Sequence, residues 1–286
     1  MKRLWMKKPV LTATLAIILA SVISGLSWAA DAQTDPPKIG YKDTPMLPGG
    51  KWHVHDCDRP QAKEIIPGTP SMQEAPGQPP SDTIILFDGT DFSKWRTAQN
   101  EPPAWKIENG CAVVPPHGMK AGGDIYTKKE FGDCQIHVEW VTPDPPQGDI
   151  MNRGNSGVYL LGLYEVQIFE SYHAGIYADG QAAAIYGQYP PLVNACRKPG
   201  KWQIYDIVFT APRFKDGQLE TPAYATVFHN GVCVQNHVAI MGTSGHRILP
   251  KYVPQLSKGP LMLQAHGNPV KFRNVWIREL KGYDQE

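Results

Sequence analysis

Three stretches of the sequence alternate apolar side chains with groups that bind hydroxyls or carry protons. Residues 135–141 set Ile136, Val138 and Trp140 on one side and Gln135, His137 and Glu139 on the other, because successive side chains of an extended chain point to opposite faces. Residues 164–169 separate Tyr164, Val166 and Ile168 from Glu165 and Gln167, and residues 261–266 separate Leu261, Leu263 and Ala265 from Met262, Gln264 and His266. Alternation alone implies no more than a half-exposed sheet, whose solvated face ordinarily carries Lys, Thr and Ser. The recurrence of Glu, Gln and His sets these faces apart, since such groups hydrogen-bond sugar hydroxyls and transfer protons. A curved sheet would bring all three faces into one cleft.

The segment Gly154-Asn155-Ser156-Gly157-Val158-Tyr159 precedes this polar face. Gly and Asn suffice for a tight turn, and the same turn lets backbone and Asn155 approach a ligand. Tyr177, Tyr186 and Tyr189 lie in a Gly/Ala/Pro-rich loop, where aromatics either stack on sugar rings or plug the end of a sandwich. His53-Val54-His55-Asp56 places two histidines on one side of an extended segment, but no further ligands cluster with them in sequence, so a packed arm is the better reading. His229, His237 and His246 read as satisfied histidines rather than ligands. No cofactor is expected; acidic groups at a sheet edge could hold Ca2+, but no Asp-rich loop resembles an EF-hand.

The elements that must position these groups are short strands. From residue 83 onward, runs rich in Val, Ile, Tyr, Phe and Trp alternate with turn residues, and no stretch keeps a helical period. Asn109-Gly110 and Asn230-Gly231 each separate two such runs, and Asn-Gly favours hairpins because both turn residues tolerate positive φ. Phe131-Gly132-Asp133 forms a third turn of this kind, leading into residues 135–141. Further strands are expected over 84–87, 157–163, 164–169, 202–210, 260–266 and 272–280. Many short strands joined by turns imply an all-β, antiparallel jelly-roll β-sandwich of the concanavalin A-like lectin and glucanase type.

The ends point to export. Lys2, Arg3, Lys7 and Lys8 precede an apolar run over residues 10–26, and small residues follow at Ser27, Ala29, Ala30 and Ala32. This suits a signal peptide over residues 1–29, with Ala32 a second cleavage point, better than a retained anchor. A periplasmic or extracellular protein without stable membrane insertion is expected. Losing four basic residues leaves 24 Lys+Arg against 27 Asp+Glu, a slightly acidic chain without the basic footprint of a nucleic-acid binder. Residues 30–82 form a Pro/Gly-rich arm, partly ordered by packing on the main domain. The sandwich is expected over 83–281 and a tail over 282–286. Five cysteines at 57, 111, 134, 196 and 233 show no CxxC spacing; an oxidising compartment allows one or two disulfides with at least one thiol left over. Oligomeric state is not legible.

The ordered motifs resemble one family. Leu86-Phe87-Asp88-Gly89 with Trp95, then Trp105-Lys106-Ile107-Glu108-Asn109-Gly110 and the run from Phe131 to Trp140, are similar to the 3-keto-disaccharide hydrolase domain family. The match continues through Gly154 to Tyr159, Tyr164 to Ser171, Gly259 to Gly267 and Phe272-Arg273-Asn274-Val275-Trp276-Ile277. The chain departs from the family pattern at Glu170, where Asp is usual, and over residues 177–197, which are more elaborate. The resemblance implies a sandwich related in fold to family 16 glycoside hydrolases and activity on glycosides oxidised at C3.

A ketone at C3 acidifies the proton at C2, so a base can remove it and the enolate can expel the glycosidic oxygen from C1 before water adds back. Classical sandwich hydrolases carry Glu-x-Asp-x-x-Glu on one strand and use two carboxylates; this chain has Glu165-Val166-Gln167-Ile168-Phe169-Glu170, with Gln at the middle place. Under the resemblance Glu165 is the expected base and His266 the acid or enolate stabiliser, with Glu139 beside them. Asn155, Gln167, Gln264, Glu170, His137, Tyr177 and Arg273 are the substrate-binding candidates. The alternatives are a carbohydrate-binding module without catalysis, since the fold also serves lectins, and a structural surface protein.

Overall fold

Alternating Val, Ile and aromatic residues fold into fifteen strands in a computed structural model that describes residues 38–116, 123–150, 152–173 and 175–284. They are β1 (Ile84–Phe87), β2 (Trp95–Arg96), β3 (Lys106–Glu108), β4 (Cys111–Val113), β5 (Ile125–Phe131), β6 (Cys134–Val141), β7 (Ser156–Leu160) and β8 (Tyr164–Ile168). β9 (Gln203–Thr210), β10 (Arg213–Lys215), β11 (Gln218–Thr221), β12 (Tyr224–His229), β13 (Val232–Ala239), β14 (Gly259–Leu263) and β15 (Lys271–Glu279) follow. The signal-peptide expectation falls outside the described residues. No helix among the described residues is long and apolar enough to cross a membrane.

Two antiparallel sheets face each other. One has the order β13-β12-β9-β6-β15-β4-β3, with β1 also pairing β15; the other runs β2-β5-β14-β7-β8, and β10 and β11 form a separate hairpin. The Asn-Gly turns close β3–β4 and β12–β13 as expected: Asn109 and Gly110 have φ of 51° and 73°, Asn230 and Gly231 53° and 82°. The Phe131-Gly132-Asp133 turn does not close a hairpin. β5 lies in the five-stranded sheet and β6 in the eight-stranded one, so this turn carries the chain across the sandwich.

The inward side chains of both sheets form one contiguous core, with Ile136, Val138 and Trp140 of β6 meeting the same cluster as Val158 and Leu160 of β7 and Tyr164, Val166 and Ile168 of β8. This is the hydrophobic term that holds the sheets together, about 1.5–3 kcal/mol for each large side chain fully buried. Alternation then fixes the outward residues. Glu165 and Gln167 leave the five-stranded sheet on the side away from the core; His137 and Glu139 leave the eight-stranded sheet on the opposite side of the sandwich.

β8 ends the five-stranded sheet, yet its free edge is not bare. Ala183 donates to Gln167 O at 2.9 Å, Gln167 N to Ala184 O at 3.0 Å, and Tyr186 N to Glu165 O at 3.1 Å. The loop after the polar strand thus satisfies the edge and lays its own side chains beside Glu165.

The chain divides into two compact units, Met1–Arg59 and Pro60–Glu286. Residues 60–82 of the Pro/Gly-rich arm therefore belong with the sandwich. All five cysteines are free thiols, so no disulfide forms among them; Cys134 is sealed in the core, where burial pushes its thiol well above the ordinary range.

Candidate active site

A cavity of about 370 Å³ opens on the outer face of β7, β8 and the segment after β14. Glu165 forms its only carboxylate among the described lining residues, with Gln167, Gln264, His266, Asn155 and Tyr177 around it. The structure thus brings together six of the residues expected from sequence. His266 reaches the cavity from beyond the strand, since β14 stops at Leu263. Tyr159, Tyr186, His246 and Asn152 also line it.

Glu165 is 3 % exposed. Its Oε2 accepts from the Tyr159 hydroxyl at 2.7 Å, and Tyr159 in turn accepts from Gln264 Nε2 at 3.1 Å. Its backbone N–H donates to Ser244 Oγ at 3.0 Å. Burial is the main influence on its carboxyl and pushes it up to about 8; the Tyr159 hydrogen bond works the other way, and the charge of Asp124 adds to the rise. Asp124 is itself raised by burial while it accepts from Ala265 N–H at 2.8 Å. The result is a carboxyl poised near neutrality, as proton-transfer chemistry requires.

Room for that carboxylate comes from a glycine. Tyr159 faces Glu165 in the β7–β8 register and Gly157 faces Gln167. A Cβ on residue 157 would lie 2.5 Å from Glu165 Oε1 and 2.9 Å from the Tyr159 ring, so only glycine leaves both groups in place.

Two amide oxygens, Gln167 Oε1 and Gln264 Oε1, are buried in the cavity wall without a hydrogen-bond partner in the protein. Buried acceptors normally find donors, and sugar hydroxyls would supply them. At the other side, the Tyr186 hydroxyl meets His246 Nδ1 at 2.9 Å and the Tyr177 hydroxyl at 3.0 Å. The long loop brings both tyrosines in, whereas Tyr189 packs against the core. His246 is thus satisfied by Tyr186, as read from the sequence, and it also lines the cavity. His229 fits that reading: it is buried, meets Gln203 Oε1 at 3.1 Å, and burial pushes it down to about 3.

Glu139, His137 and Arg273 are not part of this cavity, contrary to the single-cleft expectation. They sit on the outer face of the eight-stranded sheet, beneath residues 71–77. Arg273 Nε donates to Glu139 Oε2 at 2.7 Å, Ser71 Oγ to Glu139 Oε1 at 2.6 Å, and Asn274 Nδ2 to the same oxygen at 2.7 Å. His137 Nδ1 meets Asp206 Oδ1 at 2.7 Å, and its ring stacks on Trp276. Burial opposes charge on Glu139, but these hydrogen bonds outweigh it and hold the carboxyl down at about 2. Burial likewise opposes charge on His137, and its bonds to Asp206 and Glu139 overcome that and push it up to about 9. The cluster clamps the arm to the sheet. Glu170 also lies outside the cavity lining: it is buried, with Oε1 accepting from Tyr172 N–H at 2.9 Å and Oε2 from Arg153 at 3.4 Å.

No cavity residue joins a metal-capable cluster. Among the described residues the grouped ligand atoms are those of Asp56, Cys57 and Asp58 in the separate unit, where Asp58 pairs with Lys42.

Residues 82–278 match the 3-keto-alpha-glucoside-1,2-lyase-like domain. A solved structure from Parabacteroides distasonis ATCC 8503, described as "a putative glycosyl hydrolase", is 41 % identical, covers 83 % of this chain and 100 % of its own, and superposes with a TM-score of 0.73. A second structure from that organism, under the same description, is 22 % identical over 70 % of this chain and 94 % of its own, with a TM-score of 0.50; it shares the fold. No curated protein matches the sequence. The match over most of the chain supports a carbohydrate-active protein, and the chain belongs to the 3-keto-alpha-glucoside-1,2-lyase-like domain family.

Proposed function

We propose that this protein cleaves 3-keto-glycosides, 3-keto-disaccharides among them, by elimination across C1 and C2 followed by hydration. The observation that carries the reading is Glu165, a single carboxyl buried at the cavity wall and pushed up to about 8. Ordinary glycoside hydrolysis needs two carboxylates flanking the scissile bond, and the described lining offers one. Elimination needs one base, and a base of higher pKa is the stronger proton acceptor.

In this scheme ionised Glu165 takes the C2 proton, the C2–H electron pair forms the C2–C3 double bond, and the C3 carbonyl becomes an enolate. His266 stabilises that oxygen. Collapse of the enolate breaks the C1–O bond, and the Tyr186–His246 pair protonates the departing oxygen. Water then adds at C1, giving its proton to the Tyr186–His246 pair that lost one, while Glu165 returns its proton to C2, so atoms and charge balance and both groups regain their starting state. The unpartnered oxygens of Gln167 and Gln264 accept from sugar hydroxyls, and Asn155 and Tyr177 position the ring. The exported location expected from residues 1–29 is part of the same reading: the protein works in the periplasm or outside the cell.

The test is incubation with 3-keto-trehalose or 3-keto-lactose, following release of free sugars. Release that Glu165→Gln abolishes is the expected result. Binding without release would mean a carbohydrate-binding module instead.

A further inference from the structure

A second cavity, of about 550 Å³, adjoins the polar one, and Tyr177, Tyr186, Gly245 and His246 line both. Across that shared wall the lining changes in kind. The first cavity presents a carboxyl, amides and imidazoles; the second is bounded by Ile248 and Leu249, 66 % and 88 % exposed, with Arg247 and Asp179. Single exposed aliphatics are ordinary, but two adjacent ones lining a cavity beside a polar site form a ready apolar contact surface.

These aliphatics are tied to the strand that carries Glu165. Ser244 N donates to Leu163 O at 3.0 Å, Ser244 Oγ accepts from Glu165 N, and Thr243 N donates to Lys251 O at 3.1 Å. The loop bearing Ile248 and Leu249 is thereby closed at its base and anchored where β8 begins. Ile248 also folds over Gly245: a Cβ there would lie 3.2 Å from Ile248 Cδ1.

We propose that this second cavity is the leaving-group subsite and that it selects an apolar or aromatic aglycone. The proposal rests on the elimination reading of the first cavity. A glycoside spanning the shared wall sets its oxidised sugar beside Glu165 and its aglycone against Ile248 and Leu249, which leaves the glycosidic oxygen at the Tyr186–His246 pair. A second sugar would turn hydroxyls toward two side chains that return no hydrogen bond. An aryl ring instead covers the aliphatic surface, with the Tyr177 ring and the planar Arg247 guanidinium available to stack.

Calorimetry with two unoxidised probes, phenyl α-D-glucopyranoside and methyl α-D-glucopyranoside, tests this directly. The phenyl glycoside is expected to bind about tenfold tighter or more, the gain that burying a ring against aliphatic side chains provides. Leu249→Asp and Ile248→Asp should each shrink that ratio toward one; both positions are exposed, and an unchanged melting temperature verifies the fold. Equal affinities in the wild type, no binding of either probe, or a ratio untouched in both variants overturns the subsite. Because neither probe carries a C3 ketone, the reaction is judged separately. A phenyl preference that the variants erase, in a protein that does not turn over 3-keto-glycosides, supports the subsite and sinks the elimination.

Discussion

Gly157 and Glu165 lie on neighbouring strands so close that a Cβ on residue 157 would stand 2.5 Å from Glu165 Oε1. The carboxyl can occupy its buried position only because β7 carries no side chain there. The Tyr159 ring, 2.9 Å from the same point, closes the other escape route.

Gly157→Ala should therefore displace the carboxylate rather than unfold the sheet. A shift approaching 1 Å at a reacting group costs about 10²-fold in rate. The expected outcome is a kcat loss of that order on a 3-keto-glycoside with a melting temperature within a few degrees of wild type, read by scanning calorimetry. Full activity in the alanine variant would show that the carboxylate position is not critical.

The raised Glu165 carboxyl has consequences for stability. The unfolded chain ionises this group near 4.5, whereas the folded protein keeps its proton to about 8. Stability from this site is therefore fully present below 4.5 and is lost as pH rises through 8. Glu165→Gln removes the titration, so its melting temperature relative to wild type should rise by roughly 10 °C between pH 4.5 and pH 9. A constant difference across that range would mean the carboxyl titrates normally.

Tyr159 lowers the Glu165 pKa by donating to it. A hydrogen bond to a charged group contributes about 1.5–3 kcal/mol, or about one to two pH units. With Glu165 as base, kcat/KM should climb to a plateau above about pH 8 in the wild type, and Tyr159→Phe should move that rise upward by about this amount. A profile that stays in place argues for a different base.

Glu139 holds the arm and does not line the cavity. Glu139→Gln should cost about 3 kcal/mol, because it leaves the buried Arg273 guanidinium without its counter-charge and His137 with Asp206 alone. Cleavage by protease within residues 70–80 should accelerate while 3-keto-glycoside turnover survives. The signs of the shifts define the clamp's range: the Glu139 contribution is present above 4.5 and lost as pH falls through about 2, and the His137 contribution is present below 6.5 and lost as pH rises through about 9. Loss of turnover in a folded Glu139→Gln protein would contradict the separation of the two faces.

Much of this architecture is legible in the residues. The Asn-Gly pairs mark two hairpins because their φ requirements are local, and alternation puts Glu165 with Gln167 and Gln264 with His266 on one side. Alternation does not say which sheet a strand joins. His137 and Glu139 share the pattern of Glu165 yet leave the sandwich on the opposite side, a distinction set by the β5–β6 crossing at Gly132. The pairing of Tyr186 with His246 is illegible for another reason: loops 60 residues apart bring them to 2.9 Å. Tyr159 alternates with Gly157 in plain view, and its role follows only once the Glu165 partner in the register is known. The strand Ile125–Phe131, with its run of charged residues, and the Asp216-Gly217 hairpin carried usable signals that the expected strands did not include.

The central claim is that Glu165 removes the proton at C2. A 3-keto-glycoside deuterated at C2, incubated with the protein and sampled at early conversion by mass spectrometry against an enzyme-free control, tests it most directly. The account predicts a primary isotope effect on kcat/KM, with loss of the label to water in the released 3-keto-sugar to the extent that the Glu165 carboxyl exchanges before it returns its proton; both are absent with Glu165→Gln, which releases none. Release of 3-keto-sugar that keeps its deuterium, at the rate of the unlabelled substrate, would contradict it.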